Sequence, residues 1–477
     1  MIPQHVFREY DIRGLVATEL TPAFAETLGR AFGEYLKTRT EGAAQSLVLG
    51  RDHRKSSEGL AAAFSRGARS YGLDVISIGV VPTPVTYYAA HVLPVDGLCM
   101  ITGSHNPPEY NGFKIGVGRA TLAGPEVQEL KALALAVDAR AHGKGRGDSA
   151  SHSGTPLPAA PLAGRETQFD ALASYLSFVT QSLGKASRRL KVVVDPGNGT
   201  GGLAGPQLLR ALGHEVIELF CELDGSFPNH HPDPTVEENL RDLQAAVLKH
   251  KADLGIAYDG DADRVGAVDE KGNILWGDQL MILFSRDVLA QAPGATIVSE
   301  VKCSQTLYDD IEKRGGKAIM WKAGHSLIKA KMKETHALLA GEMSGHIFFR
   351  HRYFGFDDGV YSSARLLELV ARSGKKLSQL LSDVPKTYSS PEIRRDFPDA
   401  KKFAAVERSK EKLRAHGRII DIDGVRVVLP GGWGLIRASN TQPLLVLRYE
   451  AQSPERLREI AALIEGTVED VRRELGA

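Results

Sequence analysis

Short apolar runs alternate with amphipathic stretches over residues 1–384, as expected when strands and helices take turns along a chain. The runs have the length and composition of buried strands and lie at 47–50, 75–79, 97–101, 191–195, 254–259, 296–301, 318–321 and 338–341. A helical stretch from about Ser56 to Tyr71 separates the first two runs, with Ser56 or Ser57 as its predicted N-cap. This rhythm predicts mixed, mostly parallel sheets covered by helices, which is an α/β fold.

The pattern changes near the C-terminus. Closely spaced strands are predicted at 419–422, 425–429, 434–437 and 444–448, between helical stretches at about 399–415 and 454–474. Short connections between strands favour an antiparallel sheet, so this part is predicted to be a smaller α+β domain.

A chain of 477 residues is too long for one hydrophobic core. We therefore predict three consecutive α/β domains and the C-terminal α+β domain, with bounds at 1–150, 165–271, 272–384 and 385–477. The stretch at 139–164 is rich in Gly, Ser, His, Pro and Ala, which predicts a linker.

The segment Thr102–Pro107 follows the apolar run at 97–101. Gly103 ends the strand and the prolines after Asn106 prevent a helix, so Ser104 is predicted on a tight loop at the strand's carboxyl end. Open α/β sheets bind their ligands at this edge. A serine hydroxyl is a weak nucleophile unless a base takes its proton or a cation stabilises its anion. Lys114 is the nearest candidate cation along the chain.

Three alternate carboxylates, Asp259, Asp261 and Asp263, follow the run at 254–259 and form a hard-oxygen site suited to Mg²⁺. A calcium EF-hand loop has the same spacing, with Glu270 at its twelfth position, but Arg264 stands where that loop needs glycine. A phosphatase with an aspartyl nucleophile is another reading, and it would give the serine no role. A solvated acidic turn is disfavoured, because carboxylates this close repel each other without a cation.

Composition excludes several classes of protein. The net charge is +1, with 25% charged and 43% hydrophobic residues, so neither a nucleic-acid nor a membrane surface is indicated. Cys99, Cys221 and Cys303 lack metal-ligand spacing, which favours reduced thiols in the cytoplasm. The first residues lack a secretory signal pattern, and no apolar run reaches the ~20 residues of a membrane span.

A further stretch, Arg437–Thr441, follows a strand and offers a guanidinium, two hydroxyls and an amide, a plausible set for binding an anion. With this stretch included, the chain resembles the α-D-phosphohexomutase superfamily over nearly its full length, and most of all its bacterial phosphomannomutase/phosphoglucomutase branch. The motifs that carry the resemblance lie at 10–14, 102–107, 111–114, 259–264, 324–329, 341–346 and 437–443.

The resemblance implies four domains around a central cleft and an isomerase of carbohydrate metabolism. Its reaction would be reversible phosphoryl transfer between the 1- and 6-positions of glucose and mannose phosphates, through a phosphoserine and a 1,6-bisphosphate intermediate. It also implies Mg²⁺, glucose 1,6-bisphosphate as activator, hexose phosphates as substrates, and a monomeric cytoplasmic enzyme without nucleic-acid or membrane partners.

The resemblance also implies roles for individual residues. The implied catalytic residues are Ser104, Lys114, His325 and Arg264. The implied metal ligands are the Ser104 phosphate and the carboxylates of Asp259, Asp261 and Asp263. The implied substrate-binding residues are Tyr10, Arg13, His105, Lys302, Gly324, Glu342, Ser344, His346, Arg437, Ser439, Asn440 and Thr441. A metal-dependent phosphatase using the serine and a non-catalytic calcium module stay open beside the mutase.

Overall fold

The computed structural model describes residues 2–141, 164–439 and 442–477. Its contacts divide the chain into two compact units. The first unit contains residues up to Leu280 together with Ser344–Gln379, and the second contains Met281–Met343 and Leu380–Ala477. Short 3₁₀ turns lie at Gln4–Val6, Glu237–Leu240 and Leu377–Gln379.

The first sheet and its helices use the N-terminal part of the first unit. Their elements are β1 (Ile12–Leu15), α1 (Pro22–Arg39), β2 (Ser46–Arg51), α2 (Ser57–Ser70), β3 (Asp74–Val80), α3 (Thr83–Val92), β4 (Gly97–Ile101), β5 (Tyr110–Val117), β6 (Ala120–Thr121), α4 (Pro125–Ala141) and β7 (Glu166–Gln168). The strand order is β1-β5-β4-β2-β3-β7, with β6 beside β5. The contacts β2–β3, β2–β4 and β3–β7 are parallel, whereas β5 is antiparallel to β4 and β1.

Strand β4 lies in the middle of this sheet, and all five of its residues are buried. An apolar run of this kind is typical of a strand that is covered on both faces. Its carboxyl end lies beside that of β2, since the two strands are parallel. Strand β7 adds to the edge of the same sheet, although the second domain predicted from sequence begins at 165. Most of the predicted linker, residues 142–163, lies outside the described residues.

The second sheet also belongs to the first unit. Its elements are α5 (Ala171–Leu183), β8 (Lys191–Asp195), α6 (Gly201–Ala211), β9 (Glu215–Glu218), α7 (Arg241–His250), β10 (Leu254–Tyr258), β11 (Val265–Asp269) and β12 (Ile274–Leu275). The strand order is β12-β11-β10-β8-β9. Strand β10 is parallel to β8 and antiparallel to β11, so the turn at 259–264 connects two neighbouring strands.

The next elements are α8 (Gly277–Gln291), β13 (Thr296–Glu300), α9 (Gln305–Lys313), β14 (Lys317–Trp321), α10 (His325–Thr335), β15 (Leu339–Gly341), β16 (Ile347–Phe349) and α11 (Gly359–Ser373). In the second unit, β13 is parallel to both β14 and β15. The carboxyl ends of these strands lead into the loops that carry Lys302, Gly324 and Glu342.

The C-terminal elements are β17 (Tyr388–Ser389), β18 (Ile393–Asp396), α12 (Lys402–Leu413), β19 (Arg418–Ile420), β20 (Val425–Leu429), β21 (Gly432–Ala438), β22 (Leu444–Ala451) and α13 (Pro454–Leu475). The strand order is β17-β22-β21-β20-β19, β18 also pairs with β22, and the pairings are antiparallel. The predicted α/β architecture with a C-terminal α+β domain is therefore confirmed. Among the described helices, none combines the length and apolarity needed to cross a bilayer.

Candidate active site

Ser104 lies on the loop after β4, as its sequence predicts. Its backbone is left-handed (φ 47°), which is unusual for a residue with a side chain. The Ser104 N–H donates to Thr102 Oγ1 at 2.8 Å, and this bond fixes the turn. The Ser104 hydroxyl donates to Asp259 Oδ2 at 2.8 Å and lies 3.0 Å from His105 Nδ1. The serine loop and the acidic turn therefore meet directly.

Gly260 makes this approach possible. A Cβ at position 260 would lie only 2.3 Å from the Ser104 carbonyl oxygen, so any side chain there would push the two loops apart. The glycine between the first two carboxylates is thus a packing requirement as well as a turn residue.

The three carboxylates form one buried cluster. Asp259, Asp261 and Asp263 each offer an oxygen within 4.8 Å of the others, and all three are almost fully buried. Because strands flank the turn on both sides, the helix–loop–helix of an EF-hand is excluded. Burial raises the pKa of Asp259 well above its ordinary value, and Asp263 and Asp261 add to that rise.

Lys114, on β5, neutralises part of this charge. Its ammonium lies 2.8 Å from Asp261 Oδ2 and 2.5 Å from Asp263 Oδ2. Burial alone lowers the pKa of Lys114, but the two carboxylates outweigh it and hold that pKa well above its ordinary value. Lys114 is therefore protonated near neutral pH, which suits an acid or an electrostatic partner and not a base.

Three more residues of the predicted set extend the cluster. His346 Nε2 lies 3.2 Å from both Asp263 Oδ1 and Arg264 Nε, while its Nδ1 lies 3.1 Å from Ser344 Oγ. Burial opposes ionisation of Asp263, but Lys114 and His346 outweigh it and hold the pKa of Asp263 well below its ordinary value. This carboxylate therefore stays charged.

The donor set fits a hard divalent cation. Asp261 Oδ1 is buried and has no hydrogen-bond partner among the described residues, although a buried carboxylate oxygen normally has one. Lys114 pairs with two of the three carboxylates at 2.8 and 2.5 Å, and the Arg264 guanidinium lies 4.0 Å from the third, so negative charge is in excess. An oxygen-only set of this kind is typical of Mg²⁺ sites.

Arg13 and His105 border the serine loop. Arg13 donates to Asn106 Oδ1 at 3.0 Å and pairs with Asp11 at 2.6 Å. Burial lowers the pKa of His105 well below its ordinary value, and Arg264 and Arg13 lower it further, so the ring is neutral near pH 7. Tyr10 lies just before β1, the strand that pairs with the Lys114 strand.

The second unit holds another group of predicted residues. Glu342 Oε1 accepts from Gly324 N at 2.6 Å, immediately before His325 begins α10. Asp423 Oδ2 accepts from Arg437 Nε at 2.7 Å and from Ala323 N at 2.9 Å. These bonds bring together the 323–325 loop, the carboxylate of Glu342 and the guanidinium of Arg437.

Lys302 belongs to the same group. Its ammonium lies 3.1 Å from Glu392 and 3.6 Å from Glu300. Burial lowers the pKa of Lys302, but these two carboxylates outweigh it and raise that pKa. Ser439 Oγ accepts from Gln442 N at 3.1 Å. The predicted Asn440 and Thr441 lie outside the described residues.

Three contributors were missed by the sequence analysis. Thr83 donates to Asp261 Oδ2 at 2.6 Å, and Asp52 and Arg54 bond to the serine loop. Asp52 and Arg54 directly follow β2, so the strand-end rule that identified Ser104 identifies them too. Thr83 carries no such signal, because its role depends on a contact across 178 positions.

Models of four family domains match the chain in order. They are phosphoglucomutase/phosphomannomutase alpha/beta/alpha domains I, II and III at residues 4–140, 173–272 and 276–388, and the C-terminal domain at 392–466. A phosphomannomutase/phosphoglucomutase of Pseudomonas aeruginosa is 46% identical over 98% of this chain and 96% of its own length. A phosphoglucomutase of Neisseria gonorrhoeae is 42% identical over 98% and 97%.

A crystal structure of a phosphoglucomutase/phosphomannomutase family protein from Burkholderia thailandensis agrees with these matches. It has a TM-score of 0.88 and 40% identity, covering 99% of this chain and 98% of that one. The four domain models match in order along the chain, and relatives above 40% identity match it over nearly their full length. These findings support a single family assignment. The chain belongs to the phosphoglucomutase/phosphomannomutase family of the α-D-phosphohexomutase superfamily and is a phosphohexomutase.

Proposed function

We propose that Ser104 carries the phosphoryl group that this mutase moves between the 1- and 6-positions of glucose and mannose phosphates. The observation that supports it is the 2.8 Å bond from the Ser104 hydroxyl to Asp259, within a cluster that also contains Lys114. Phosphoryl transfer depends on positioning and charge neutralisation, and this cluster offers both.

The first half-reaction breaks the bond between phosphorus and Ser104 Oγ and forms one between phosphorus and the free sugar hydroxyl. In this proposal His325 accepts the proton that the sugar hydroxyl loses, and protonated Lys114 gives a proton to the departing Ser104 oxygen. The product is a 1,6-bisphosphate, which turns round within the enzyme. Its other phosphoryl group then returns to Ser104, while His325 gives its proton back to the departing sugar oxygen.

When the serine attacks the bisphosphate, its proton returns to Lys114 through a first acceptor beside the hydroxyl. Asp259 Oδ2 and a neutral His105 Nδ1 are the acceptors nearest to it, at 2.8 and 3.0 Å. Because burial raises the pKa of Asp259, its carboxylate is a better proton acceptor than an exposed one. Arg264 is proposed to support the phosphorylated serine.

Asp259, Asp261 and Asp263 are the residues that would hold Mg²⁺, together with an oxygen of the phosphoserine. When bound there, the ion supplies positive charge to the transferring phosphoryl group. The orphaned Oδ1 of Asp261 supports this assignment.

Substrate binding is proposed for the remaining predicted residues. Glu342 and Ser344 bind sugar hydroxyls, and the bond from Gly324 fixes the Glu342 carboxylate. Arg437 and Ser439 bind the phosphate that is not reacting, with Asn440 and Thr441. The others proposed to contact substrate are Tyr10, Arg13, His105, Lys302, Gly324 and His346.

The test is a mutase assay on glucose 1-phosphate and mannose 1-phosphate in parallel, with and without glucose 1,6-bisphosphate. We expect comparable turnover of both sugars, dependence on Mg²⁺ and on the bisphosphate, and much poorer use of glucosamine 1-phosphate. Intact mass and peptide mapping should place one phosphoryl group on Ser104, and Ser104→Ala should abolish turnover. Phosphate on Asp259 or Asp261 alone, or release of inorganic phosphate without isomerisation, would refute the proposal. A monomeric, cytoplasmic enzyme without nucleic-acid partners, and the domain bounds, remain predictions.

A further inference from the structure

Arg54 is buried directly behind the serine loop. It follows β2, and only 2% of its surface is exposed. Its guanidinium donates to the backbone carbonyls of three loop residues and of Tyr110, the first residue of β5. The bonds reach Ser104 O at 2.7 Å, Asn106 O at 2.5 Å, Pro107 O at 2.6 Å and Tyr110 O at 3.1 Å. A buried guanidinium that binds three carbonyls of one loop and a fourth just after it fixes the path of that loop.

Asp52 is the ion-pair partner of Arg54 and also bonds to the serine loop. Its Oδ2 accepts from Gly103 N at 3.0 Å and lies 3.2 Å from Arg54 Nε, and its Oδ1 accepts from Arg54 N at 3.0 Å. The N–H of Gly103 and the carbonyl of Ser104 are therefore both bonded to the Asp52–Arg54 ion pair. This matters because Ser104 has a left-handed backbone, which a side-chain-bearing residue leaves readily unless its surroundings hold it.

Gly103 and Arg54 fit against each other. A Cβ at position 103 would lie 2.5 Å from Arg54 Cζ and 2.5 Å from its Nε. The guanidinium therefore occupies the space that a side chain at 103 would need. A change at either residue should disturb the loop in the same way.

We propose that Arg54 is a positioning residue for phosphoryl transfer, which holds the Ser104 hydroxyl in line with the acidic turn. This inference rests on the proposed role of Ser104 as phosphoryl carrier. Arg54 acts through the loop backbone, since its four acceptors are all carbonyls. Lysine cannot replace it, because an ammonium is a single point donor and a guanidinium is a planar fork of five N–H groups.

The test compares Arg54→Lys and Gly103→Ala with the matched surface control Arg66→Lys, whose side chain is exposed and pairs with Glu26 at 3.4 Å. Each protein is phosphorylated with glucose 1,6-bisphosphate, and intact mass and peptide mapping give the occupancy of Ser104. Single-turnover transfer to glucose 1-phosphate is then followed by rapid quench. The maximal rate and the half-saturating concentration are measured separately, with thermal unfolding alongside.

We expect the maximal rate of Arg54→Lys and of Gly103→Ala to fall about a hundred-fold, because small errors in position slow bond formation steeply. The half-saturating concentration should change by less than about threefold, because Glu342, Ser344, Arg437 and Ser439, which are proposed to bind the sugar hydroxyls and the non-reacting phosphate, make none of these bonds to Arg54. The double variant should be no slower than the worse single variant, since both changes disturb one contact. Arg66→Lys should match the unchanged protein.

A folded Arg54→Lys that transfers phosphate at the normal rate but melts at a lower temperature would show that Arg54 only stabilises the fold, and would overturn the inference. A loss found only in the half-saturating concentration would overturn it too. If Arg54→Lys does not fold, the same readouts on Gly103→Ala decide the question. If the unchanged protein carries its phosphate elsewhere than Ser104, the proposed function and this inference both fail. If Ser104 is phosphorylated and the variants transfer normally, only the inference fails.

Discussion

Asp358→Asn should stabilise this protein much more at pH 8 than at pH 5. Asp358 precedes α11 and is almost fully buried. Its carboxylate accepts from Tyr361 N at 2.7 Å, from the Tyr353 hydroxyl at 2.7 Å and from the Tyr175 hydroxyl at 3.0 Å. Burial raises the pKa of Asp358 from 3.8 to about 7, although these three donors oppose the rise.

The sign follows from proton linkage. The folded protein keeps the Asp358 proton up to about pH 7, whereas the unfolded chain loses it near pH 3.8. Unfolding therefore releases a proton between these values, and the free energy of unfolding falls as the pH rises through them. Between the two pKa values the free energy of unfolding falls by about 1.4 kcal/mol per pH unit. Between pH 5 and pH 8 this group alone lowers stability by about 3 kcal/mol, and at higher pH its contribution stays constant.

Asparagine has nearly the shape of a protonated aspartate and still accepts from Tyr361 N, but it cannot ionise. The variant should therefore resemble the unchanged protein only below about pH 3.8, where both states are protonated, and should exceed its stability by about 1.5 kcal/mol at pH 5 and about 4.5 kcal/mol at pH 8. Urea denaturation followed by circular dichroism gives the unfolding midpoint of the variant and of the unchanged protein at each pH. The difference between these midpoints reports the change in stability. Asp470→Asn is the control, because it makes the same substitution at an exposed carboxylate. The reasoning would be refuted if the stability difference between the variant and the unchanged protein were the same at pH 5 and pH 8, or if the variant were less stable at pH 8.

Three further predictions concern the site. Asp261→Asn removes a proposed metal ligand, so it should lower turnover at least about a hundred-fold and reduce the rise in melting temperature that Mg²⁺ causes. Near-normal turnover in saturating Mg²⁺ would contradict the metal assignment. Arg437→Ala should weaken binding of glucose 1-phosphate, measured by calorimetry, because a charge-assisted hydrogen bond is worth roughly 1.5–3 kcal/mol, or about ten- to a hundred-fold; unchanged affinity would remove Arg437 from the phosphate site. Glu342→Gln keeps an acceptor for Gly324 N, and it should lower kcat/KM about tenfold and equally for glucose and mannose 1-phosphates, since it contacts hydroxyls that they share. A reversed preference between the two sugars would show that Glu342 senses the 2-position.

Local pattern alone predicted the strands that carry the site. The apolar run at 97–101 coincides with β4, the run at 425–429 with β20, and the helix expected at about 454–474 with α13. These predictions succeed because burial and backbone preference act over a few residues. The strand-end rule likewise predicted Ser104 and the turn at 259–264, since a loop must follow where a buried strand ends. The Ser56 cap was only partly informative, because Ser56 is the N-cap residue of α2 but makes no side-chain capping bond.

The partnerships within the site were decided by the tertiary structure. Lys114 meets Asp261 and Asp263 across 147 and 149 positions, and this contact is what keeps its ammonium charged. Arg54 reaches the serine loop across 50 or more positions because β2 and β4 are parallel neighbours. Strand order and register arise from the packing of the whole core, and no local pattern encodes them. The sequence therefore determined which residue types stand at the strand ends, and the fold determined which of them share a charge, a proton or a backbone carbonyl.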